Sequence, residues 1–202
     1  MARGVVMLAT VERYLASLPG GLSAYPACVH KGEPLAVWLR RSPTAKLAAQ
    51  LPPAVASLLG PADDLPEWVP EVHANVVYLA LREAFFPSDE AFLQHARATN
   101  RAVLQTPTNR VLFWVAAPRA ILRAAGLRWG ALHRGSTVDV RITSDVSARV
   151  VLRYPRNLFP ETVLRGTATG FAVAIENAGG RDVQLVLKST DEESALFEGR
   201  WK

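Results

Sequence analysis

The sequence predicts an α+β fold in which an N-terminal helical region, residues 1–134, packs on a C-terminal β-β-α-β-β antiparallel sheet, residues 135–202. Apolar residues recur at helical spacing through the first two thirds of the chain. At Gly135 the period changes to alternation, with Val138, Val140 and Ile142 on one side and Asp139, Arg141 and Thr143 on the other. The third observation is bulk: 202 residues, half of them hydrophobic and 20% charged, suffice for a substantial core and read as one domain, residues 1–202.

Val5, Leu8, Val11, Leu15 and Leu18 predict a first helix over residues 4–18, stopped by Pro19-Gly20-Gly21. Residues 23–34 have no period and read as loop, and Leu35, Val37, Trp38 and Leu39 as a turn or helix. Ser42-Pro43 has the form of an N-cap followed by proline at the first helical position. Pro52-Pro53 ends that helix, residues 54–59 form another, and the proline-rich acidic stretch to Pro70 reads as a connection. A longer helix is expected over residues 71–86, and Ser88-Asp89-Glu90 starts the next, which reaches about residue 105, by capping free amides and placing acids at the positive end of the helix. Residues 111–115 and 118–132 suggest two more helical pieces, the second weakened by Gly126.

In the C-terminal part, Val150, Leu152 and Tyr154 alternate on the hairpin partner that follows the turn at Ser144-Asp145. Pro160 opens the clearest helix, whose stripe Leu164, Ala168, Phe171, Ile175, Ala178 lies beside a second stripe, Val163, Gly166, Gly170, Ala174. Two stripes predict cover on both sides, by the sheet and by the N-terminal helices. Gly179-Gly180 ends the helix, and two strands close the chain.

Composition excludes several classes. Glu12, Arg13 and Tyr14 interrupt the first apolar run, which favours a cytoplasmic protein over a secreted one, and no apolar run reaches the roughly 20 residues that cross a bilayer. Cys28 is the only cysteine, so no disulfide forms within the chain. His30, His73, His95 and His133 are scattered without metal-ligand spacing, so no metal site is expected. Cys28-Val-His30 is the nearest approach to a nucleophile and base, but it lacks an orienting group. Gly166 and Gly170 sit within a helix, where close packing against a neighbour explains them better than a phosphate loop does. Glu192 and Glu193 read as solvated acids of a turn. No catalytic constellation and no cofactor are expected.

The net charge of +5 is unevenly placed: residues 117–160 hold eight arginines against two acids, Asp139 and Asp145. Alternation projects Arg141, Arg149 and Arg153 from the outer face of the sheet. There they read either as an ordinary solvated face or as a site for an acidic partner or anionic ligand. Aromatic platforms are absent from that face, which argues against specific nucleic-acid binding. Trp114, Trp129 and Phe171 are candidates to line a pocket beside the Gly166 helix.

The run from Leu164 to Lys188, LRGTATGFAVAIENAGGRDVQLVLK, followed by ALFEGRW to Trp201, resembles a myxobacterial paralogous family of similar length and unknown function. The N-terminal runs LASLPG and PAVASLLGP are compatible with it. More remotely, helices leading into a hairpin, a glycine-containing helix and two closing strands resemble the regulatory fold shared by 4-vinyl-reductase-like, haem nitric-oxide-binding and TRAPP-type domains. This resemblance implies a sensor or adaptor before an enzyme. No ligand residue carries over, because the haem-binding relatives use an axial histidine within a motif that this sequence does not match. The expectation is therefore a non-enzymatic cytoplasmic regulatory or adaptor protein with a protein partner. The alternative is a sensor domain binding a small hydrophobic or anionic molecule; a homodimer is compatible with either.

Overall fold

In the computed structural model, which describes residues 7–44, 46–107 and 118–202, the chain is α+β with two antiparallel sheets. Helix α1 (Ala9–Ala16) has no cap of its own; Glu83 supplies one from outside, accepting from the amides of Ala9 and Thr10 at 3.2 and 2.9 Å. Strand β1 (Val29–Lys31) runs into α2 (Gly32–Arg40), and a short helix α3 (Pro53–Ala56) begins on the second proline of Pro52-Pro53. Strand β2 (Trp68–Pro70) leads directly into α4 (Glu71–Phe85), and α5 (Asp89–Leu104) follows with the Ser88 hydroxyl accepting from the Ala91 amide at 3.2 Å. Helices α6 (Pro118–Arg123) and α7 (Ala125–Leu132) end at the two-residue strand β3 (His133–Arg134). The C-terminal part is β4 (Thr137–Ser144), β5 (Ser147–Arg153), α8 (Glu161–Asn177), β6 (Gln184–Thr190) and β7 (Ser194–Arg200).

The larger sheet has the order β4-β5-β7-β6, and its inner side chains Val138, Val150, Leu152 and Phe197 are buried. Helix α8 lies between this sheet and the N-terminal helices, touching β6 and β7 on one side and α4, α5 and α6 on the other, as its two apolar stripes predict. Helix α4 is buried on nearly every side, through Val72, Val76, Val77, Leu79 and Leu81, which makes it a core helix rather than a surface one. Helix α7 rests on β4 so closely that a Cβ on Gly126 would come within 2.9 Å of the Val138 carbonyl oxygen. The glycine that weakens this helix is what lets it pack.

Three expectations need correction. The helical region contains a second sheet, of order β2-β1-β3, in segments read as loop: Val29, His30 and Lys31 pair with Pro70, Val69 and Trp68, while Val29 and His30 also pair with Arg134 and His133. Ser42 does not start a helix; its amide closes the end of α2 on the Leu39 carbonyl, its hydroxyl meets His95 Nε2 at 3.2 Å, and the next described helical turn is a 3-10 turn at Ala48–Gln50. Gly166 does not pack against a neighbouring element, since a Cβ there would meet nothing within 4 Å. The helix expected over residues 111–115 lies outside the described residues.

Gly170 does meet a neighbour: its Cβ position is 3.4 Å from the Asn100 amide nitrogen. Asn100 donates to the Gly166 carbonyl at 3.4 Å and to the Thr169 hydroxyl at 2.8 Å, tying α5 to α8. Gly170→Leu is expected to push Asn100 out of both bonds and lower stability by about 1 to 3 kcal/mol, read as a fall in melting temperature.

Candidate functional site

Between α2, α4 and α5 on one side and α6, α7 and α8 on the other lies a cavity of about 180 Å³. Its walls are mainly apolar, including Trp38, Phe92, Ile121, Leu122, Trp129 and Phe171. Gly166 leaves part of this space open, because α8 carries no side chain there.

One end of the cavity is polar, and the small sheet builds it. Pairing of β1 with β3 sets His30 opposite His133, their rings 4.8 Å apart and nearly perpendicular. Pairing of β1 with β2 delivers Glu71 to the first turn of α4, where its amide donates to the Cys28 carbonyl at 2.9 Å and its side chain is fully buried. His133 Nδ1 lies 2.9 Å from Glu71 Oε2, and Trp129 stacks flat on the His133 ring at 3.9 Å. The Trp129 indole is itself held by donation to the Ser136 hydroxyl at 3.0 Å. His30 Nδ1 is 2.5 Å from the Lys31 carbonyl, which makes it the protonated nitrogen, and the Tyr78 hydroxyl can then donate to Nε2 across 3.3 Å.

Charge at this end is tightly controlled. Burial, reinforced by His133, lowers the His30 pKa from 6.5 to about 4, so the ring is neutral at neutral pH. Burial alone would raise the Glu71 carboxyl, but the charge and hydrogen bond of His133, together with His30, outweigh it and hold the group below the usual carboxylate range. The α4 N-terminus also favours an anion at that position. Burial pushes the Tyr78 phenol well up. Cys28 is likewise pushed up by burial, with Glu71 adding to it, and its thiol faces the Gly135 carbonyl at 3.5 Å; it makes no pair with His30.

The His30 shift sets an acid response. An unfolded chain takes up this proton near pH 6.5 whereas the folded one resists until about pH 4, so the contribution is full above 6.5 and is lost as pH falls through that window. Its total is about 3 kcal/mol. Burial lowers His73 and His95 as well, which adds to the effect in the same direction. Urea midpoints are expected to fall steadily from pH 7 to pH 4, and a His30→Phe variant to show a flatter profile across the same range.

Of the residues singled out in the sequence, Trp129 and Phe171 both line the cavity with ring centres 6.0 Å apart, and Trp114 lies outside the described residues. Arg141 and Arg149 are cross-strand partners on the outer face of the larger sheet. Arg149 pairs with Glu198 at 2.9 Å and Arg153 pairs with Asp139, so acidic neighbours already neutralise two of the three arginines. Exposed pairs of this kind contribute little to stability. Sequence reasoning did not find the His30, Glu71, Tyr78 and His133 group. The one local signal was alternation in Cys28-Val-His30, which is strand-like and turns His30 inward on β1.

No protein-family model and no curated protein sequence matches this chain. Solved structures do. An H-NOX family structure that probes the function of haem distortion aligns with a TM-score of 0.57 at 7% identity, covering 85% of this chain and 95% of that one. A point mutant of the T. tengcongensis H-NOX aligns at 0.55 and 7% identity, covering 85% and 97%. The Fe(II) unliganded H-NOX protein from K. algicida aligns at 0.53 and 11% identity, covering 85% and 96%. The chain therefore shares the H-NOX fold, in keeping with its remote resemblance to haem nitric-oxide-binding domains.

The residues present do not fit a haem. About 180 Å³ is little more than the roughly 150 Å³ that accommodates benzene, and it falls below the roughly 300 Å³ where pockets for drug-sized ligands begin, whereas a porphyrin is four linked pyrroles wide. Both His30 nitrogens already have partners, and although His133 keeps Nε2 free among the described residues, Trp129 stacked at 3.9 Å on its ring and the size of the cavity beside it leave no room for a macrocycle. Among the described residues no three histidine, cysteine or acidic side chains converge to hold a metal ion. No helix of the described residues is long and apolar enough to cross a membrane.

Proposed function

We propose that this chain is a single-domain, non-enzymatic sensor that binds a small, mainly apolar molecule in the cavity beside α8 and signals its presence to a protein partner. The observation that carries the reading is the cavity itself: apolar walls closed by one buried polar end, the usual form of a small-ligand site. The shared fold adds support, since the structural neighbours are H-NOX proteins, one of them described for haem distortion and another for the mechanism of H-NOX activation. Binding is favoured over catalysis because the Cys28 thiol is held protonated by its burial and faces the Gly135 carbonyl rather than a histidine.

The same helix supplies a route for the signal. Helix α8 lines the cavity with Gly166, Thr167 and Phe171 and packs with its other side on β6 and β7. A ligand that shifts α8 moves the sheet whose outer face carries Arg141, Arg149 and Arg153, the surface for an acidic partner in a cytoplasmic setting.

Gly166→Leu tests the site. The new side chain grows into open cavity space, so the fold should survive, with a melting temperature equal to or above wild type because leucine is also the better helix former. In a thermal-shift screen of small apolar compounds, wild type is expected to gain about 2.7 kcal/mol at a ligand concentration of about 100 Kd, and Gly166→Leu to gain nothing. Equal shifts in both proteins, or none in wild type at millimolar concentration, would overturn the assignment.

A further inference from the structure

The cavity's size, its aromatic walls and the one unused imidazole nitrogen together define a ligand more narrowly; the argument rests on the sensor reading above. Glu71 holds His133 through Nδ1, and among the described residues Nε2 makes no hydrogen bond. In the neutral ring, a carboxylate at Nδ1 keeps the proton on that nitrogen and leaves a lone pair on Nε2. His133 lines the cavity, so this acceptor belongs to a wall that is otherwise mostly hydrocarbon. The His133 side chain is only partly buried, and in so apolar a wall a ligand that brings a hydroxyl supplies the donor that this nitrogen lacks.

The remaining walls say what should carry the hydroxyl. Trp129 covers the His133 face and stands 6.0 Å from Phe171 and 6.3 Å from Phe159, a set of rings suited to stacked or edge-on contact with one more. A volume of about 180 Å³ holds a single six-membered ring with one or two further heavy atoms. The anionic carboxylate of Glu71 beside the acceptor disfavours a negatively charged ligand there, and the one cationic wall residue described, Arg128, directs its guanidinium to the Ile121 carbonyl at 3.5 Å.

We infer that the cavity selects neutral monocyclic hydroxyarenes, the phenol class, by stacking among Trp129, Phe159 and Phe171 and by donation of the ligand hydroxyl to His133 Nε2.

The test uses the full chain at pH 8, with phenol, toluene, benzoate and hemin as probes in calorimetry. Phenol is expected to bind about tenfold tighter than toluene, the size of one buried hydrogen bond, with benzoate about tenfold weaker than phenol and hemin giving no stoichiometric Soret band. Phenol should also move the His133 Nε2 nitrogen resonance of the wild-type protein toward the value of a hydrogen-bonded acceptor. Removing His133 alone strands Glu71 and endangers folding, so the paired variant Glu71→Met/His133→Phe is used. It should bind toluene normally and prefer phenol by no more than about twofold, since both polar partners have been removed together.

The failures are distinguishable. Equal affinity for phenol and toluene, with both blocked by Gly166→Leu, overturns the hydroxyl recognition and leaves the sensor cavity standing. Binding of none of the probes overturns both readings. Tighter binding of benzoate assigns the polar end to carboxylates and overturns the phenol class, and stoichiometric hemin uptake overturns the size argument.

Discussion

Gly135→Ala is expected to destabilise the protein by about 2 to 5 kcal/mol, the sum of a backbone and a packing effect. Gly135 sits at φ +80°, in the left-handed region where a Cβ crowds its own backbone. The same Cβ would stand 2.4 Å from the Cys28 sulfur and 2.9 Å from the Cys28 Cα. The sulfur could rotate away, but the Cα cannot, so β1 and the chain leaving β3 must separate. Because this contact adjoins the pairing that sets His30 against His133, the loss should extend to ligand binding. Denaturant unfolding measures it, and Cys28→Ala in the same background should recover only the part due to sulfur. A loss below about 1 kcal/mol would mean that the β1–β3 junction is looser than described.

The second large effect concerns the buried pair. His133→Phe should keep the stack on Trp129 yet leave the Glu71 carboxylate fully buried without its hydrogen-bond partner, at a cost of about 3 to 5 kcal/mol near neutral pH. In wild type the depressed Glu71 pKa contributes stability that is present above the ordinary carboxylate value and is lost as pH falls through the folded value. In the variant the carboxyl should rise instead, so it protonates early and the gap between variant and wild type should narrow on acidification. Glu71→Met alone leaves only the His133 Nδ1 donor unsatisfied and should cost less, about 1 to 3 kcal/mol. The double replacement should regain most of the loss. Urea titrations of the four proteins at pH 4.5 and pH 7.5 check both the order and the pH trend; additive losses would show that the two side chains act independently.

The parts of the fold legible in the sequence are those with a long period. The alternation of Val138, Val140 and Ile142, and the doubled stripe of α8, extend over enough residues to identify strand and helix and to place the helix between two layers. The small sheet has no such signal. Strands β1, β2 and β3 are three, three and two residues long, too short to show alternation and set among prolines and glycines that mark loops. The pocket was half legible for the same reason. Trp129 and Phe171 belong to periodic helices and could be assigned to an interior, whereas His30, Glu71 and His133 meet only through backbone pairing between distant segments. Glu71 was further hidden because an acid at the start of a helix ordinarily marks a solvated end, and here that end is buried under β1 and β3.

That distant pairing also sets when the site can come into existence. Cys28 and Gly135 touch although they are 107 positions apart, while the four-stranded sheet and α8 lie beyond that point in the chain. During synthesis helices α1 to α6 can emerge and collapse without a floor to their cavity, because both His133 and the glycine that receives Cys28 are still to be made. Such a topology, rich in contacts between remote positions, folds slowly relative to a simple helical bundle of the same size. In the interval the apolar faces of α4 and α5 await α8, so a newly made chain can enclose this cavity only after the C-terminal third has left the ribosome.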